Sequence, residues 1–155
     1  MFILQAAVPL IDRRLSQYTS RHQSFKCIQS MDGRYFSTDS FEGEQTLLMF
    51  WAPWCGVCQR KLPQLAQYYR ETVWTEVQIL TLGTADPSDR GKEYVDKHSG
   101  TFTFPASYDD GGLLKETFRI KADPTYALLD VDGTIQMIHR GSGILRNRLY
   151  QSLVE

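Results

Sequence analysis

Two cysteines separated by two residues are the part of this sequence best suited to chemistry. They lie in the run Trp54-Cys55-Gly56-Val57-Cys58, where the pattern predicts the start of a helix. The unpaired N–H groups and positive dipole end of a helix start favour a thiolate over a thiol. Cysteines in this arrangement can have their pKa lowered from about 8.5 to about 7 or below. We therefore expect a redox pair in which Cys55 attacks a substrate disulfide and Cys58 resolves the mixed disulfide.

The residues beside the pair fit contact with another polypeptide. Gly56 is small enough to let a second chain approach, Trp54 can cover the disulfide and act as a contact surface, and Val57 completes the site. The third cysteine, Cys27, lies in a predicted strand, where we expect it to pack as a small apolar residue. A third redox thiol or a dimer-forming cysteine is the alternative for Cys27.

A metal site is the main competing chemistry. Structural zinc needs about four ligands, usually from two paired clusters. The sequence offers one cysteine pair, Cys27 and three scattered histidines, His22, His98 and His139. We therefore expect no metal and no cofactor. A Cu(I)-binding metallochaperone stays open because soft thiolates suit Cu(I), and so does a disulfide without turnover.

Composition limits the class of protein. The chain has 155 residues, 42% of them hydrophobic, and a formal net charge of −1, which predicts one packed domain and excludes a strongly basic nucleic-acid binder. No apolar run reaches the roughly 18 residues of a membrane span. The apolar segment 1–11 lacks the basic residues that begin a secretory signal. We expect an N-terminal arm or helix over 1–24, although a signal or anchor removed from a longer chain is the alternative.

Apolar runs and turn residues predict alternating strands and helices. The predicted strands are 25–28, 35–36, 46–51, 77–82, 125–129 and 135–138. The predicted helices are 9–20, one from about Cys55 through Tyr69 that kinks at Pro63, 88–98 with Ser88 as N-cap, 113–118 and 144–154. Asp-Gly turns at 32–33 and 132–133 predict hairpins. This pattern indicates a three-layer α/β fold with a mixed central sheet flanked by helices, whose core is 25–155 of a single domain spanning 1–155.

Three motifs carry a family resemblance. The run 50–58 resembles the FWAxWCxxC signature of the thioredoxin-like superfamily, and Pro63 stands where these proteins have a helix-kinking proline. The segment 123–133 resembles their PTxxLID-DG run. Within the superfamily, the chain is most similar to the TlpA/ResA/CcmG group of envelope thiol-disulfide oxidoreductases, from about Cys27 to Gly143.

The resemblance implies both fold and activity. It implies a thioredoxin-like fold with an N-terminal hairpin, a TlpA-type insertion over about 86–122, and Pro124 as a cis-proline facing the cysteines. It also implies a protein-disulfide reductase of the periplasm or extracytoplasmic envelope. Its partners would be protein clients with disulfides or thiols and an upstream membrane or soluble thiol electron donor. A membrane tether would lie outside this chain.

Two other activities of the same fold stay in view. A disulfide oxidase or isomerase is the alternative to a reductase, since direction depends on the reduction potential of the pair. A peroxide-reducing relative is less well supported. Such relatives carry a threonine three positions before the first cysteine, where this chain has Ala52.

The sequence departs from the family pattern at three positions that carry a charge either in the family or in this chain. Met49 replaces a buried aspartate of thioredoxins, and Lys61 replaces the glutamate of the TlpA/ResA group. Both carboxylates take the proton of the inner thiol, so here water or Asp123 is left to take it from Cys58. Asp123 stands before Pro124, where relatives commonly have Thr, Val or Ile. We expect Asp123 to raise the thiol pKa and Lys61 to lower it, unless Lys61 only lies on a solvated helix face.

Overall fold

The computed structural model describes residues 28–29, 34–37, 40, 42–71, 77–84, 88–109 and 112–141. The strands are β1 Ile28–Gln29, β2 Tyr35–Phe36, β3 Gln45–Trp51, β4 Val77–Gly83, β5 Ala106–Tyr108, β6 Thr125–Leu129 and β7 Ile135–Arg140. The helices are α1 Gly56–Glu71, α2 Ser88–Lys97 and α3 Leu113–Thr117. Strands and helices alternate through most of this range, as the apolar pattern predicts.

Strand β3 is the centre of a mixed five-stranded sheet. The strand order is β5-β4-β3-β6-β7, with β3 parallel to β4 and antiparallel to β6. Every residue of β3 from Thr46 to Trp51 is buried, because helices cover the sheet on both faces and such a strand needs an unbroken apolar run. A separate two-stranded sheet pairs β1 with β2, with Ile28 opposite Phe36.

The side chains of β3 alternate between two hydrophobic clusters, one on each face of the sheet. Met49 and Trp51 point to the face covered by α1 and α2, where the Trp51 and Tyr94 rings lie 5.5 Å apart. Leu48 and Phe50 point to the opposite face. We call the first set the α1-face cluster. It includes Leu47, Met49, Trp51, Cys58, Leu62, Leu65, Ala66 and Tyr126.

Most predicted elements are present, with shifted ends. The bounds of β6 agree with the prediction, β7 extends two residues further, and α1 continues through Pro63 as one helix. Helix α2 begins at Ser88 itself, so Ser88 is its first residue and not the residue before it. Strand β5 was not predicted, because Ala-Ser-Tyr is too short and too mixed in polarity to stand out.

Several predictions fall on residues outside the described ranges. These are the helices at 9–20 and 144–154, the first three residues of the strand at 25–28, and the environment of Cys27. The single domain spanning 1–155 stays a prediction. Within the described part of the chain, the helices are too short or too polar to cross a bilayer.

Candidate active site

The redox cysteines lie in the turn that connects the central strand to the first long helix. Strand β3 ends at Trp51, and the N–H of Cys55 then donates a hydrogen bond of 3.1 Å to the carbonyl of Ala52. Helix α1 begins at Gly56, so Cys55 is its N-cap residue. The carbonyl of Cys55 accepts a 3.0 Å hydrogen bond from the N–H of Gln59, as the first bond of the helix. The sequence prediction of a cysteine pair at a helix start is confirmed.

Cys55 and Cys58 are joined by a disulfide. Their Cα atoms are 5.2 Å apart, and the N–H of Cys58 also donates a hydrogen bond of 3.1 Å to Sγ of Cys55. Cys58 is 0% exposed and belongs to the α1-face cluster, whereas Cys55 is only partly buried. The outer sulfur is therefore the one that another protein can approach.

The surface around Cys55 combines the indole ring of a tryptophan with the exposed backbone of a glycine. Trp54 is 59% exposed, which is high for a tryptophan, and Gly56 is exposed while Val57 is half-buried. The side-chain amide of Gln59 donates a hydrogen bond of 2.7 Å to the carbonyl of Pro53. This bond ties the exposed turn to the first turn of α1.

A basic residue that sequence reasoning missed also lies at this helix start. Nη1 of Arg60 is 3.7 Å from the position that a β-carbon at Gly56 would take. Its guanidinium therefore lies over Gly56, the residue that follows Cys55 in the sequence. Lys61, which the sequence singled out instead, is half-buried and donates a hydrogen bond of 3.0 Å from Nζ to Gln64. An i,i+4 reading of the helix from residue 56 would have found Arg60.

The loop before β6 lies at the same end of the sheet. Phe50 is paired with Thr125, so Asp123, two residues before Thr125, lies near the end of β3 where the redox turn begins. The Asp123–Pro124 peptide bond is cis, as the resemblance implied, and Pro124 is buried. The Pro124 carbonyl accepts a 2.9 Å hydrogen bond from the N–H of Gly141.

Asp123 is fixed by a residue to which the sequence gave no role. Oγ1 of Thr84 donates a hydrogen bond of 2.9 Å to Oδ2 of Asp123 and also lies 3.2 Å from the carbonyl of Trp51. The N–H of Thr84 donates a second bond of 2.8 Å to that carbonyl. The other carboxylate oxygen, Oδ1, is buried and has no hydrogen-bond partner among the described residues. A threonine just after a strand carries no motif that would have revealed this contact.

The positions of the two family carboxylates hold side chains of a different kind. Met49 is fully buried in the same cluster as Cys58. Tyr126, opposite Met49 on β6, is fully buried too, and burial raises the pKa of its hydroxyl well above the usual range. His139 lies opposite Tyr126 on β7, and partial burial lowers the pKa of its ring. Two uncharged side chains, Met49 and Tyr126, thus share the hydrophobic cluster of Cys58.

The described residues offer no built metal site, since no three of their His, Cys, Asp or Glu side chains are grouped to hold an ion. The sequence-predicted residues instead converge on one end of the sheet. Two elements bring them together: the β3–α1 turn carries residues 54–58, and the β6 loop carries Asp123 and Pro124. Contact between Pro124 and the cysteines stays a prediction.

Comparison with known proteins agrees with this geometry. The thiol-disulfide oxidoreductase ResA of Bacillus thuringiensis subsp. konkukian is 26% identical over 108 residues, which are 70% of this chain and 61% of that protein. ResA of Halalkalibacterium halodurans is 25% identical over 130 residues, 84% of this chain and 72% of that protein. The chain therefore spans about three fifths of the length of the first relative.

A solved structure shows the same architecture. MTB dsbF, solved in its mixed oxidized and reduced forms, has a TM-score of 0.74 and 27% identity, over 86% of this chain and 96% of that one. The thioredoxin-like α/β fold expected from the sequence is confirmed. The sequence also matches the AhpC/TSA family over residues 20–138, which is most of its length, and the chain therefore belongs to the AhpC/TSA family.

Proposed function

We propose that this protein is a thiol-disulfide oxidoreductase that exchanges its Cys55–Cys58 disulfide with the thiols and disulfides of protein clients. One observation carries the proposal: a partly buried sulfur at a helix N-cap is bonded to a fully buried sulfur one turn later. The names of both ResA relatives describe this activity.

The reaction divides into two exchanges. In the reduced protein, the Cys55 thiolate attacks one sulfur of a client disulfide, forms a Cys55–client disulfide and releases the other client sulfur as a thiolate, which takes a proton from water. Cys58 then loses its proton and attacks Sγ of Cys55, which forms the Cys55–Cys58 bond and releases the second client thiolate. The client gains two electrons and two protons, and the protein is left with the disulfide. The same steps run backwards when a client dithiol is oxidised.

Helix α1 favours the first step through its backbone. Sγ of Cys55 already accepts the N–H of Cys58, and the same bond becomes charge-assisted when Cys55 is a thiolate. The positive end of the helix dipole acts in the same direction. Arg60 adds a positive charge over Gly56, and Lys61 adds one a turn further along.

The exposed groups at this end form the proposed client surface. Trp54 supplies an apolar contact, and Gly56 leaves the backbone accessible. In this proposal the half-buried Val57 and the buried Pro124 lie behind them, beside the pair. Tryptophan is enriched at such contacts because its ring buries a large area with few rotatable bonds.

We assign the protein to reduction of envelope clients on the strength of its resemblance to the TlpA/ResA/CcmG group. An upstream thiol donor, either membrane-bound or soluble, would then return the disulfide to the dithiol. Direction is a matter of small energies, since about 30 mV of potential corresponds to about 1.4 kcal/mol for two electrons. A redox titration against glutathione decides it: a potential near that of a strong oxidant, about −120 mV, would assign the chain to the oxidases.

The activity itself is tested by reduction of insulin disulfides with dithiothreitol as donor. We expect turnover by the wild type, loss of turnover in Cys55→Ala and in Cys58→Ala, and a trapped Cys55–client disulfide in Cys58→Ala. Circular dichroism controls for folding of each variant. Activity that survives in Cys55→Ala would refute the assigned nucleophile, and an inactive, folded wild type would refute the function.

A further inference from the structure

The Thr84–Asp123 hydrogen bond crosses the end of the central strand. Thr84 follows β4, and Asp123 precedes β6, which are the two neighbours of β3 in the sheet. The bond therefore connects the two flanking strands at the point where β3 ends at Trp51 and the redox turn begins. Because Thr84 also binds the Trp51 carbonyl through its N–H, its position relative to the turn is fixed.

The cis-proline loop is held just as firmly on its other side. Gly141 donates to the carbonyl of Pro124 over 2.9 Å, and Oγ1 of Thr125 donates to the carbonyl of Ala122 over 2.6 Å. Asp123 therefore has a neighbour on each side whose position is set by a hydrogen bond. One oxygen of its carboxylate, Oδ2, accepts a hydrogen bond from Thr84, and the other, Oδ1, has no hydrogen-bond partner among the described residues.

That second oxygen needs a donor. Oδ1 of Asp123 is buried and unpartnered among the described residues, and burying a carboxylate oxygen without a hydrogen bond is costly. The Thr84 hydroxyl that binds Oδ2 of Asp123 lies 3.2 Å from the carbonyl of Trp51, so the carboxylate lies at the end of β3, where the turn that carries the outer sulfur begins. A disulfide has no S–H to donate. When a client dithiol reduces the disulfide, each cysteine gains a proton. The thiol of Cys55 is then a hydrogen-bond donor beside Asp123.

We propose that Oδ1 of Asp123 is the hydrogen-bond acceptor for the thiol of Cys55 in the reduced protein, and that Thr84 is the positioning residue that holds it there. The inference rests on the proposed function, because it concerns the reduced form of the same pair. A fixed negative charge beside Cys55 favours thiol over thiolate. Because this hydrogen bond exists only in the reduced protein, it also favours the dithiol over the disulfide.

This assignment of Asp123 to Cys55 differs from a role of Asp123 as the base that deprotonates Cys58. Cys58 lies in the α1-face cluster, whereas the contacts of Asp123 run to Thr84 at the end of β4. The charge of Asp123 opposes the helix dipole and the basic residues at this end of the sheet. On the elements that adjoin the redox turn, namely α1, the loop before β6 and the end of β7, the charged and titratable residues nearest to the turn in sequence or register are Cys58, Arg60, Lys61, Lys121, Asp123, His139 and Arg140.

The test measures Cys55 in the fully reduced protein, without a client. The pKa of Cys55 is read from the pH dependence of its alkylation by iodoacetamide, and the equilibrium constant of the pair from titration with glutathione. We expect Asp123→Asn to lower the pKa of Cys55 by about one unit and, at a pH where Cys55 is a thiol, to shift the equilibrium severalfold toward the disulfide, because the hydrogen bond of the reduced state loses its charged acceptor. Asp130→Asn is the matched control, because it removes the same charge at the other end of β6. It should change neither value.

Two variants test Thr84. Thr84→Val removes the hydroxyl with little change of shape and should move both values in the direction of Asp123→Asn, whereas Thr84→Ser should restore them. The double variant Asp123→Asn/Thr84→Val should have the same Cys55 pKa and the same equilibrium constant as Asp123→Asn alone, since both substitutions act through one carboxylate. A Cys55 pKa in Asp123→Asn equal to that of Asp130→Asn would overturn the proposal. A shift in Asp123→Asn with none in Thr84→Val would overturn the role of Thr84.

The proposed function fails by a different result. If insulin reduction by the wild type is absent while Asp123→Asn still shifts the pKa of Cys55, the oxidoreductase assignment is wrong and the contact stands. If the wild type turns over and the Asp123 and Asp130 variants have the same Cys55 pKa, only the contact is wrong.

Discussion

The N–H of Cys58 donates a hydrogen bond of 3.1 Å to Sγ of Cys55, so the outer redox sulfur is also the N-cap acceptor of helix α1. Serine is among the residues preferred at an N-cap and alanine is not. In reducing buffer we therefore expect Cys55→Ala to have a free energy of unfolding lower than that of Cys55→Ser by about 1 kcal/mol. Urea denaturation of the two variants measures the difference.

The comparison with Cys55→Ser separates the cap from the disulfide, since neither variant can form the bond. Cys58→Ala and Cys58→Ser provide the control, because Cys58 caps nothing and is fully buried. There the serine should be the less stable of the two. Equal stability of Cys55→Ala and Cys55→Ser would mean that the hydrogen bond to Sγ does not contribute to the helix.

Two buried threonines of the sheet differ in whether their hydroxyl is paired. Oγ1 of Thr125 donates to the carbonyl of Ala122 over 2.6 Å, whereas Oγ1 of Thr46 has no partner in the described ranges. Both residues are 0% exposed. We expect Thr125→Val to lower the free energy of unfolding by about 1 kcal/mol or more, and Thr46→Val to leave it unchanged or raise it. An equal loss in both variants would indicate that Thr46 has a partner in solution.

Local pattern was enough to predict the redox turn and the strands around it. The unbroken apolar run ending at Trp51 marks a strand buried on both faces, and Cys55 and Cys58 follow where the helix must start. These signals are local because burial and helix capping depend on residues close in the sequence. The cis peptide at Pro124 needed the family resemblance, since the sequence around it also fits a trans bond.

The contacts missed from the sequence join residues far apart or depend on a rotamer. Thr84 and Asp123 are 39 positions apart and meet only because β4 and β6 flank β3. The sequence singled out Lys61 as the basic residue of the site. In the structure, the side chain of Arg60 turns back over Gly56, whereas that of Lys61 binds Gln64. Sequence alone shows the charge of each residue but not the direction in which its side chain points.

The packing of α2 on the sheet depends on a glycine. A β-carbon at Gly91 would overlap the ring of Tyr108 on β5, whereas nothing lies within 4 Å of such an atom at Gly100. Alanine favours a helix by about 1 kcal/mol over glycine, but overpacking costs about 1–3 kcal/mol. We therefore expect Gly91→Ala to be destabilised despite its better helix propensity, and Gly100→Ala to stay within about 0.5 kcal/mol of the wild type. Thermal or urea unfolding of both measures this, and a stabilised Gly91→Ala would show that the ring moves aside freely.

The basic residues of α1 should affect Cys55 unequally. Arg60 lies over Gly56, the residue that follows Cys55 in the sequence, while Lys61 donates a hydrogen bond to Gln64. In the reduced protein we expect Arg60→Gln to raise the pKa of Cys55 by a few tenths of a unit and Lys61→Gln to raise it less. Arg60 is exposed, so the effect should shrink in 0.5 M salt, where screening acts over only about 4 Å. Alkylation rates across pH at low and high salt measure both. A larger effect of Lys61→Gln would favour the residue singled out by the sequence.

Stability should fall in mild acid through His139. Burial of its ring lowers the pKa of His139 in the folded protein, so the unfolded chain binds this proton more readily. The stability linked to the neutral ring is fully present above the unfolded-state pKa of about 6.5 and is lost as the pH falls below it. We expect the free energy of unfolding of the wild type to decrease between pH 7.5 and 5.5, and His139→Gln to decrease less. Urea denaturation at both pH values gives the two differences, and an equal decrease in the variant would assign the acid sensitivity to other groups.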